Sequence, residues 1–204
     1  VKKINETSSD KIAGFTGDLT NMETLYVAKE FFNKTIKSKY LDSRTNNTYV
    51  NTTNKENYIF NSSINGIEES DFILLVGTNP RLEATILNSR IRKAYIKNKV
   101  EIYSIGDPGD LTYPYKNIGN STSIIKEILS ETHDISKKIK NSKKPIIIIG
   151  ESALNKDIGE YIFESIKSFL FNNSFINSDW NALNILTQDV SKVGAIDLGI
   201  YSID

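Results

Sequence analysis

The chain has 204 residues, of which 39% are hydrophobic and none is cysteine, and its 25 basic residues balance 25 acidic residues. This balance excludes the strong positive field that draws a protein to nucleic acid or to an anionic membrane, so we expect neither partner. Without cysteine the chain has no disulfide, no thiolate nucleophile and no cysteine-ligated zinc or iron–sulfur cluster of its own. Its apolar runs are far shorter than the roughly 20 residues of a spanning helix, so we expect no direct membrane span.

A strand followed by a helix is the first unit that the sequence predicts. Residues 11–15 are predicted to form the strand and 21–36 the helix, because apolar residues recur there at helical spacing. The residues expected on the inner face of this helix are Leu25, Ala28, Phe32 and Ile36. Residues 38–62 are rich in Asn, Thr and charge and show no periodicity, which indicates a polar surface excursion.

The most informative stretch is the next one, which reads as strand, turn and helix. Phe72–Val76 is an unbroken apolar run, which is typical of a strand covered on both faces in a parallel sheet. Gly77, Thr78 and Asn79 are predicted to form the turn. Pro80 suits the first helical position, with Asn79 or Thr78 placed to cap the free N–H groups. Such turns often bind anions such as phosphates in α/β sheets, although many helices begin this way for structural reasons only.

The helix after this turn is predicted to be apolar on two sides and to be covered on both. The larger arc consists of Ala84, Leu87, Ile91, Ala94 and Tyr95, and the smaller arc of Leu82 and Ile86. Glu83 and Arg90 lie two turns apart, between the two arcs. We therefore predict a partly buried structural ion pair between them, or between one of them and a neighbour.

Strands and helices continue to alternate along the rest of the chain. Two more strands are predicted at 100–105 and 146–149, with a GDPGD turn after the first of them. Helices are predicted at 121–129, capped by Ser121 or Thr122, at 157–171 and at 181–193, and a lysine-rich polar segment precedes the last strand. We therefore expect an α/β fold with a Rossmann-like parallel sheet flanked by helices, in a single domain over residues 1–204.

No catalytic residue and no metal site is predicted. His133 is the only histidine, and the chain has no Gly-x-Ser-x-Gly elbow, so a surface position is favoured over a catalytic triad. Asp107 and Asp110 could bind a cation or share a proton, but turns select Asp, Pro and Gly, and we interpret both as turn residues. The chain has no Gly-x-Gly-x-x-Gly motif or Walker loop, so ordinary dinucleotide or ATP binding has no motif support.

Several blocks of the sequence, taken in order, resemble the large iron–sulfur subunit of respiratory complex I, the proton-pumping NADH:ubiquinone oxidoreductase. These blocks are SSINGIEESD, VGTNPRLEATILNSRIRKAY, GDPGDLTY, KKPIIIIGESAL, SDWNALNIL and VGAIDLGIY, and the resemblance runs roughly from Ile12 to Tyr201. It implies the cysteine-free, molybdopterin-oxidoreductase-like domain of that subunit. In molybdopterin-dependent enzymes a similar Gly-x-Asn-Pro turn helps to hold the pterin dinucleotide, which the complex I subunit generally lacks. Gly77, Thr78 and Asn79 are therefore relic candidates for cofactor binding.

The resemblance implies a non-catalytic structural and assembly role in the peripheral arm of complex I, on the matrix side of the mitochondrial inner membrane or the cytoplasmic side of a bacterial one. Expected partners are other peripheral-arm subunits, especially a cluster-bearing amino-terminal portion of the same subunit. We expect iron–sulfur clusters in that partner, no cofactor in this chain, and a chain that is a fragment or split form of a larger subunit. One alternative is a nucleotide- or pterin-binding oxidoreductase domain that uses the Gly77–Pro80 turn. Another is a free-standing interaction module with no redox role.

Overall fold

The computed structural model describes residues 1–155 and 157–201. Contacts within the chain divide it into two compact units, one formed by Val1–Asn47 with Thr187–Asp204 and the other by Thr48–Leu186. The single-domain organisation expected from the sequence stays a prediction. No helix in the described part of the chain is both long enough and apolar enough to cross a bilayer.

The strands of the described residues are β1 (Gly14–Phe15), β2 (Leu41–Asp42), β3 (Phe72–Val76), β4 (Glu101–Ile105), β5 (Lys116–Gly119), β6 (Pro145–Gly150) and β7 (Leu183–Leu186). The α-helices are α1 (Lys2–Glu6), α2 (Met22–Glu30), α3 (Pro80–Glu83), α4 (Thr85–Asn98), α5 (Ser123–Leu129), α6 (Asp134–Asn141), α7 (Glu151–Leu154), α8 (Gly159–Asn172) and α9 (Lys192–Asp197).

The larger unit is built on a five-stranded sheet with the order β5-β4-β3-β6-β7. All of its strand pairs are parallel, and Phe72 of β3 lies opposite both Glu101 of β4 and Pro145 of β6. The first strand of this sheet, β3, lies at its centre. β4 and β5 are added on one side of β3, and β6 and β7 are then added on the other. This doubly wound order confirms the predicted α/β fold, and it places the reversal of strand order between β3 and β6.

Helices cover both faces of this sheet because β3 and β6 are apolar at nearly every position. Successive side chains of a strand point to opposite faces, so Leu74 packs in one core with Phe163 of α8, and Ile73 packs in the other with Ile91 of α4. Helices α5 and α6 contribute to the same core as α8. Predicted strands 100–105 and 146–149 and the helix predicted at 157–171 are confirmed within a few residues.

The smaller unit holds the first predicted strand and helix. The strand is shorter than predicted, since only Gly14–Phe15 pairs, in parallel with β2. Helix α2 is capped by Asn21, and the chain continues as a π-helix over Phe31–Ile36, so the predicted helix at 21–36 is confirmed with a changed last turn. Of its expected inner residues, Leu25 and Ile36 are buried, and Ala28 and Phe32 are half-buried. The excursion at 38–62 contains only β2 and a short 3-10 turn at Lys55–Asn57.

The prediction of a helix at 181–193 is wrong. Leu183–Leu186 is instead the edge strand β7, paired in parallel with β6, and α9 begins only at Lys192. Short apolar runs fit both helical and strand periods, and tertiary pairing decides between them. Here Asn184 is fully buried and fixes the strand, because its amide accepts from Ser62 N (2.8 Å) and donates to Ser62 Oγ (2.9 Å).

Two elements between β4 and β6 have no counterpart in the prediction. Strand β5 follows the GDPGD turn, and helix α6 lies in the segment that was predicted to be polar and irregular. Helix α6 buries Ile135 and Ile139 while its lysines remain on the outer side. The helix predicted at 121–129 begins at Ser123, whose N–H donates to Ser121 Oγ (3.2 Å).

The helix after the Gly77 turn departs from the prediction in two ways. Ala84 has φ −152°, which separates α3 from α4, and the side chains of Leu82 and Ile86 are 79% and 68% exposed, so this arc is not covered. Periodicity gives the direction of an apolar arc but not whether anything packs on it. Glu83 and Arg90 do not pair. Arg90 Nη1 instead lies 2.5 Å from Glu68 Oε1, with the side chains 37% and 17% exposed, which confirms the second form of the ion-pair prediction.

Candidate functional site

A cleft of about 180 Å³ lies where the carboxyl ends of β3 and β4 meet α7, the short helix that follows β6 directly. It is lined by Gly77, Thr78, Asn79, Glu83, Gly106, Asp107, Pro108 and Ser152. The structure thus brings the three relic candidates together with Asp107 of the second turn. This is the edge of the sheet at which ligands bind in open α/β folds.

Gly77 is required by the backbone at this point. Its φ is +57°, and a Cβ atom there would lie 2.7 Å from Ala153 Cβ and 2.8 Å from Ala153 N. Its own N–H donates to the carbonyl of Ile105 (3.0 Å), which extends the β3–β4 ladder by one bond. Only glycine allows this left-handed turn to approach helix α7 so closely.

The crevice between β3 and β6 is closed by direct contact of the Gly77–Thr78 turn with the end of β6 and the start of α7. A Cβ atom on Gly150 would lie 2.5 Å from the carbonyl oxygen of Gly77 and 2.5 Å from Thr78 Cβ. The hydroxyl of Ser152 donates to the same Gly77 carbonyl. Backbone and a serine side chain therefore fill the place that a ligand occupies at the switch point of a doubly wound sheet.

Side chains of the turn and of α3 accept hydrogen bonds from the free N–H groups at the start of this helix. Asn79 Oδ1 accepts from Leu82 N (3.2 Å), which confirms the predicted cap. Glu83 reaches back, so that Oε1 accepts from Asn79 N (2.8 Å) and Oε2 accepts from Thr78 Oγ1 (2.7 Å). The role of Glu83 was missed, although an acidic residue shortly after a cap resembles the capping box and was a usable signal. The chain thus supplies its own anion at the position where a phosphate could bind.

The same short helix ties the two turns together. Asn79 Nδ2 donates to the carbonyl of Pro108 (2.6 Å), and Arg81 Nη1 donates to the carbonyl (2.9 Å) and carboxylate (2.5 Å) of Asp110. Asp110 also accepts from Thr112 N (2.8 Å), and this bond, together with Arg81, lowers the pKa of its carboxyl. Asp107 likewise accepts from Gly109 N (2.9 Å), so each carboxylate closes its own turn, and Asp110 in addition binds α3 through Arg81.

A pterin dinucleotide, which the fold family implies, does not fit this cleft. Its volume of about 180 Å³ is well below the several hundred Å³ of a typical small-molecule site. The carboxylates of Glu83 and Asp107 line it, and they would repel the phosphates of a dinucleotide. The turn therefore acts as a joint between loops.

The remaining candidate residues lie elsewhere. His133 is half-buried and caps α6, since its Nδ1 accepts from Ile135 N (3.2 Å). This is a structural use of the ring, at a half-buried position instead of the surface position that the sequence favoured. Within residues 1–155 and 157–201, no group of three His, Asp or Glu side chains is placed to hold a metal ion.

The sequence profile of the Molybdopterin oxidoreductase family matches residues 1–203 of the chain. The chain belongs to the molybdopterin oxidoreductase family. This assignment agrees with the doubly wound sheet and with the position of the Gly77–Asn79 turn at its carboxyl edge.

Three relatives of this family member carry complex I names. The chain is 42% identical to the NADH-ubiquinone oxidoreductase 75 kDa subunit of Reclinomonas americana over 207 residues, which cover 96% of the chain and 30% of the relative. It is 32% identical to the mitochondrial NADH dehydrogenase [ubiquinone] iron-sulfur protein 1 of Solanum tuberosum, over 97% of the chain and 27% of the relative. It is 35% identical to the mitochondrial NADH-ubiquinone oxidoreductase 78 kDa subunit of Candida albicans, over 98% of the chain and 28% of the relative. The chain thus spans less than a third of these relatives, and the predicted resemblance is confirmed.

Proposed function

We propose that this family member is a non-catalytic structural and assembly part of the peripheral arm of respiratory complex I. The observation that carries the proposal is the 42% identity to a NADH-ubiquinone oxidoreductase 75 kDa subunit over 96% of the chain. Similarity spread over nearly the whole chain means that the fold as a whole, and not one motif, is shared with that subunit.

The geometry of the cleft supports a role without catalysis by this chain. Gly150 and Ser152 contact Gly77 and close the switch point. The carboxylate of Glu83 accepts the hydrogen bonds that Asn79 N and the Thr78 hydroxyl donate. The cleft that remains, of about 180 Å³, is smaller than a typical small-molecule site. The side chains of the turn then serve to fix the loops of the sheet.

Electron transfer in this proposal belongs to the partners. The chain has no cysteine, so iron–sulfur clusters would be held by a partner chain or by another region of a larger subunit. The expected partners are other peripheral-arm subunits, above all a cluster-bearing amino-terminal portion of the same subunit. The expected location is the matrix side of the mitochondrial inner membrane, because relatives from Solanum tuberosum and Candida albicans are mitochondrial by name.

A variant of the turn tests whether it takes part in turnover. The double variant Thr78→Val and Asn79→Ala removes the polar groups of the turn that a pterin or nucleotide would use, and both changes conserve or reduce side-chain size. We expect it to lower the amount of assembled complex without changing NADH:ubiquinone turnover per assembled complex. The measurement is NADH oxidation normalised to complex content on a native gel. Lost turnover at full assembly would contradict the structural role and favour the alternative of a ligand-binding oxidoreductase domain.

A further inference from the structure

A second cavity, of about 380 Å³, lies in the larger unit at the amino end of β4, away from the cleft at Gly77. It is lined by the first residues of β4, by the start of β5 and the residues just before it, by the end of α4, and by Lys138 of α6. Its lining combines lysine and tyrosine side chains, among them Lys99, Lys116, Tyr95 and Tyr103. This combination offers both positive charge and apolar surface.

The cavity occupies a gap in the sheet. Strand β5 pairs with β4 only from Tyr103 onward, where Lys116 lies opposite Tyr103. The two preceding residues, Glu101 and Ile102, pair with β3 on one side, and no strand of the described residues pairs with them on the other. We call this gap the β4 notch. Alternate residues of β4 direct their N–H and C=O groups to β3 and to β5, since Ile105 O accepts from Gly77 N and Gly106 N donates to Gly119 O. By this alternation the backbone groups of Ile102 point into the gap without a partner among the described strands.

The β4 notch reaches both faces of the sheet. Ile102 and Tyr95 pack in the core with α4, whereas Tyr103 packs in the opposite core with α6, which carries Lys138. Side chains from both faces line a single cavity only if that cavity wraps around the edge of the strand. An occupant that lies along this edge would therefore point its successive side chains at two different walls.

Two lysines of the β4 notch are left for an occupant. Lys138 Nζ is engaged by Glu101 Oε2 at 2.5 Å, and this bond, followed by the one from Tyr103, lowers the pKa of Glu101. Lys99 Nζ instead lies 5.5 Å from the ring centre of Tyr95, and Lys116 Nζ lies 5.7 Å from that of Tyr103. Neither of these two forms a salt bridge in the part of the chain that the structure describes. The charge of Lys116 does act on Glu101 and helps to lower the pKa of that carboxyl, so the lining carries three lysines against one carboxylate. They lie at the end of α4 and the start of β5, one on each side of the exposed strand edge.

We propose that the β4 notch binds an extended acidic segment of a partner protein, which lies beside Glu101 and Ile102 in line with β5. An extended segment supplies the main-chain hydrogen bonds that the exposed strand edge offers. Two adjacent acidic side chains point to opposite faces, so that one faces Lys99 and the other faces Lys116, while apolar neighbours contact the tyrosine rings. This inference rests on the proposed scaffold role and names the chemistry of one partner contact.

Peptide binding to the purified full chain tests the proposal. The probe is a fluorescein-labelled peptide with two central glutamates flanked by valines and soluble Gly–Ser ends, and its counterpart carries glutamines instead. We expect the glutamate peptide to bind about tenfold more tightly than the glutamine peptide, as two exposed ion pairs allow, in fluorescence anisotropy. The preference should decrease as salt is raised, because exposed charges are screened.

Matched lysine variants separate the β4 notch from general charge. The pair Lys99→Gln and Lys116→Gln should abolish the preference for glutamate. The control pair Lys97→Gln and Lys137→Gln removes the same charge from exposed positions on α4 and α6 outside the cavity, and should keep it. Thermal unfolding of both pairs checks that the fold is retained.

Three results would overturn the proposal. One is equal binding of the two peptides, and another is an equal loss of preference in the control pair. The third is binding of benzoate through Lys99 and Lys116 with no binding of the peptide, which would make the cavity a small-molecule site. Complex I assembly does not enter this experiment, so failure here and failure of the proposed function are told apart.

Discussion

At the scale of single residues, the turn after β3 is held by polar side chains in the place of a bound anion. Asn79 caps α3, and Glu83 accepts from both Thr78 and Asn79. Sequence alone predicted the cap, because Asn before Pro at the start of a helix is a local signal. The Glu83 contacts were not predicted, although an acidic residue shortly after a cap is also a local signal.

Asn79→Ala should lower the free energy of unfolding by about 1 kcal/mol, because it removes the side-chain cap of α3. Chemical denaturation of the purified chain measures the difference. Asn172→Ala is a suitable control, since Asn172 is exposed at the end of α8, and it should change stability by less than about 0.5 kcal/mol. Equal losses in the two variants would show that Asn79 does not act as a cap.

Asp71 joins the start of β3 to the start of β6 and should make stability depend on pH. Burial raises the pKa of its carboxyl, but hydrogen bonds from Ser142, Lys143 N and Lys144 N outweigh burial and lower the pKa below its ordinary value. A carboxyl with a lowered folded pKa stabilises the protein above its unfolded pKa of about 4, and this contribution is lost as pH falls through the folded pKa.

Asp71→Asn should therefore be less stable than the wild type by about 1 kcal/mol at neutral pH, as expected for a partly exposed charged hydrogen-bonding group. The difference should disappear as the pH is lowered below about 4. Urea denaturation of both proteins between pH 3 and 7 makes the comparison. A difference that stays constant over this range would rule out the charge of Asp71 as its cause.

At the scale of elements, the strands buried on both faces were predictable and the short or edge strands were not. Strands β3 and β6 are continuous apolar runs, which few other structures explain, and β4 is mostly apolar, with four of its five residues buried. The edge strands β5 and β7 are four residues each and contain polar residues such as Asn117 and Asn184, so their identity comes from pairing with neighbours. Helix α6 was hidden by its outward lysines, although Ile135 and Ile139 already have helical spacing.

Contact of the turn after β3 with the end of β6 closes the crevice between these strands, and this contact cannot be read from local sequence. Gly150→Ala should destabilise the protein by about 2 kcal/mol, because its Cβ would lie 2.5 Å from Gly77 O and Thr78 Cβ and one loop must move. Gly17→Ala is the matched control, since a Cβ there would meet nothing within 4 Å. Thermal and chemical unfolding compare the two variants. Equal stability of both would mean that the loops do not pack as described.

At the scale of the whole molecule, the chain has the fold of one family but only part of the length of its relatives. The family match extends over residues 1–203, whereas the chain corresponds to only 30% of the Reclinomonas americana relative. It brings a parallel sheet with a closed carboxyl edge and a β4 notch with two lysines at the other end. These features suit a structural subunit that binds other protein chains, which is the role proposed for it in complex I.

The position of the chain in native membranes tests this central claim most directly. Membranes solubilised in a mild detergent are resolved by size under native conditions, and mass spectrometry of each fraction locates the peptides of this chain. The account predicts that the chain co-migrates with NADH dehydrogenase activity in a large complex. Migration as a small species, apart from that activity, would contradict it.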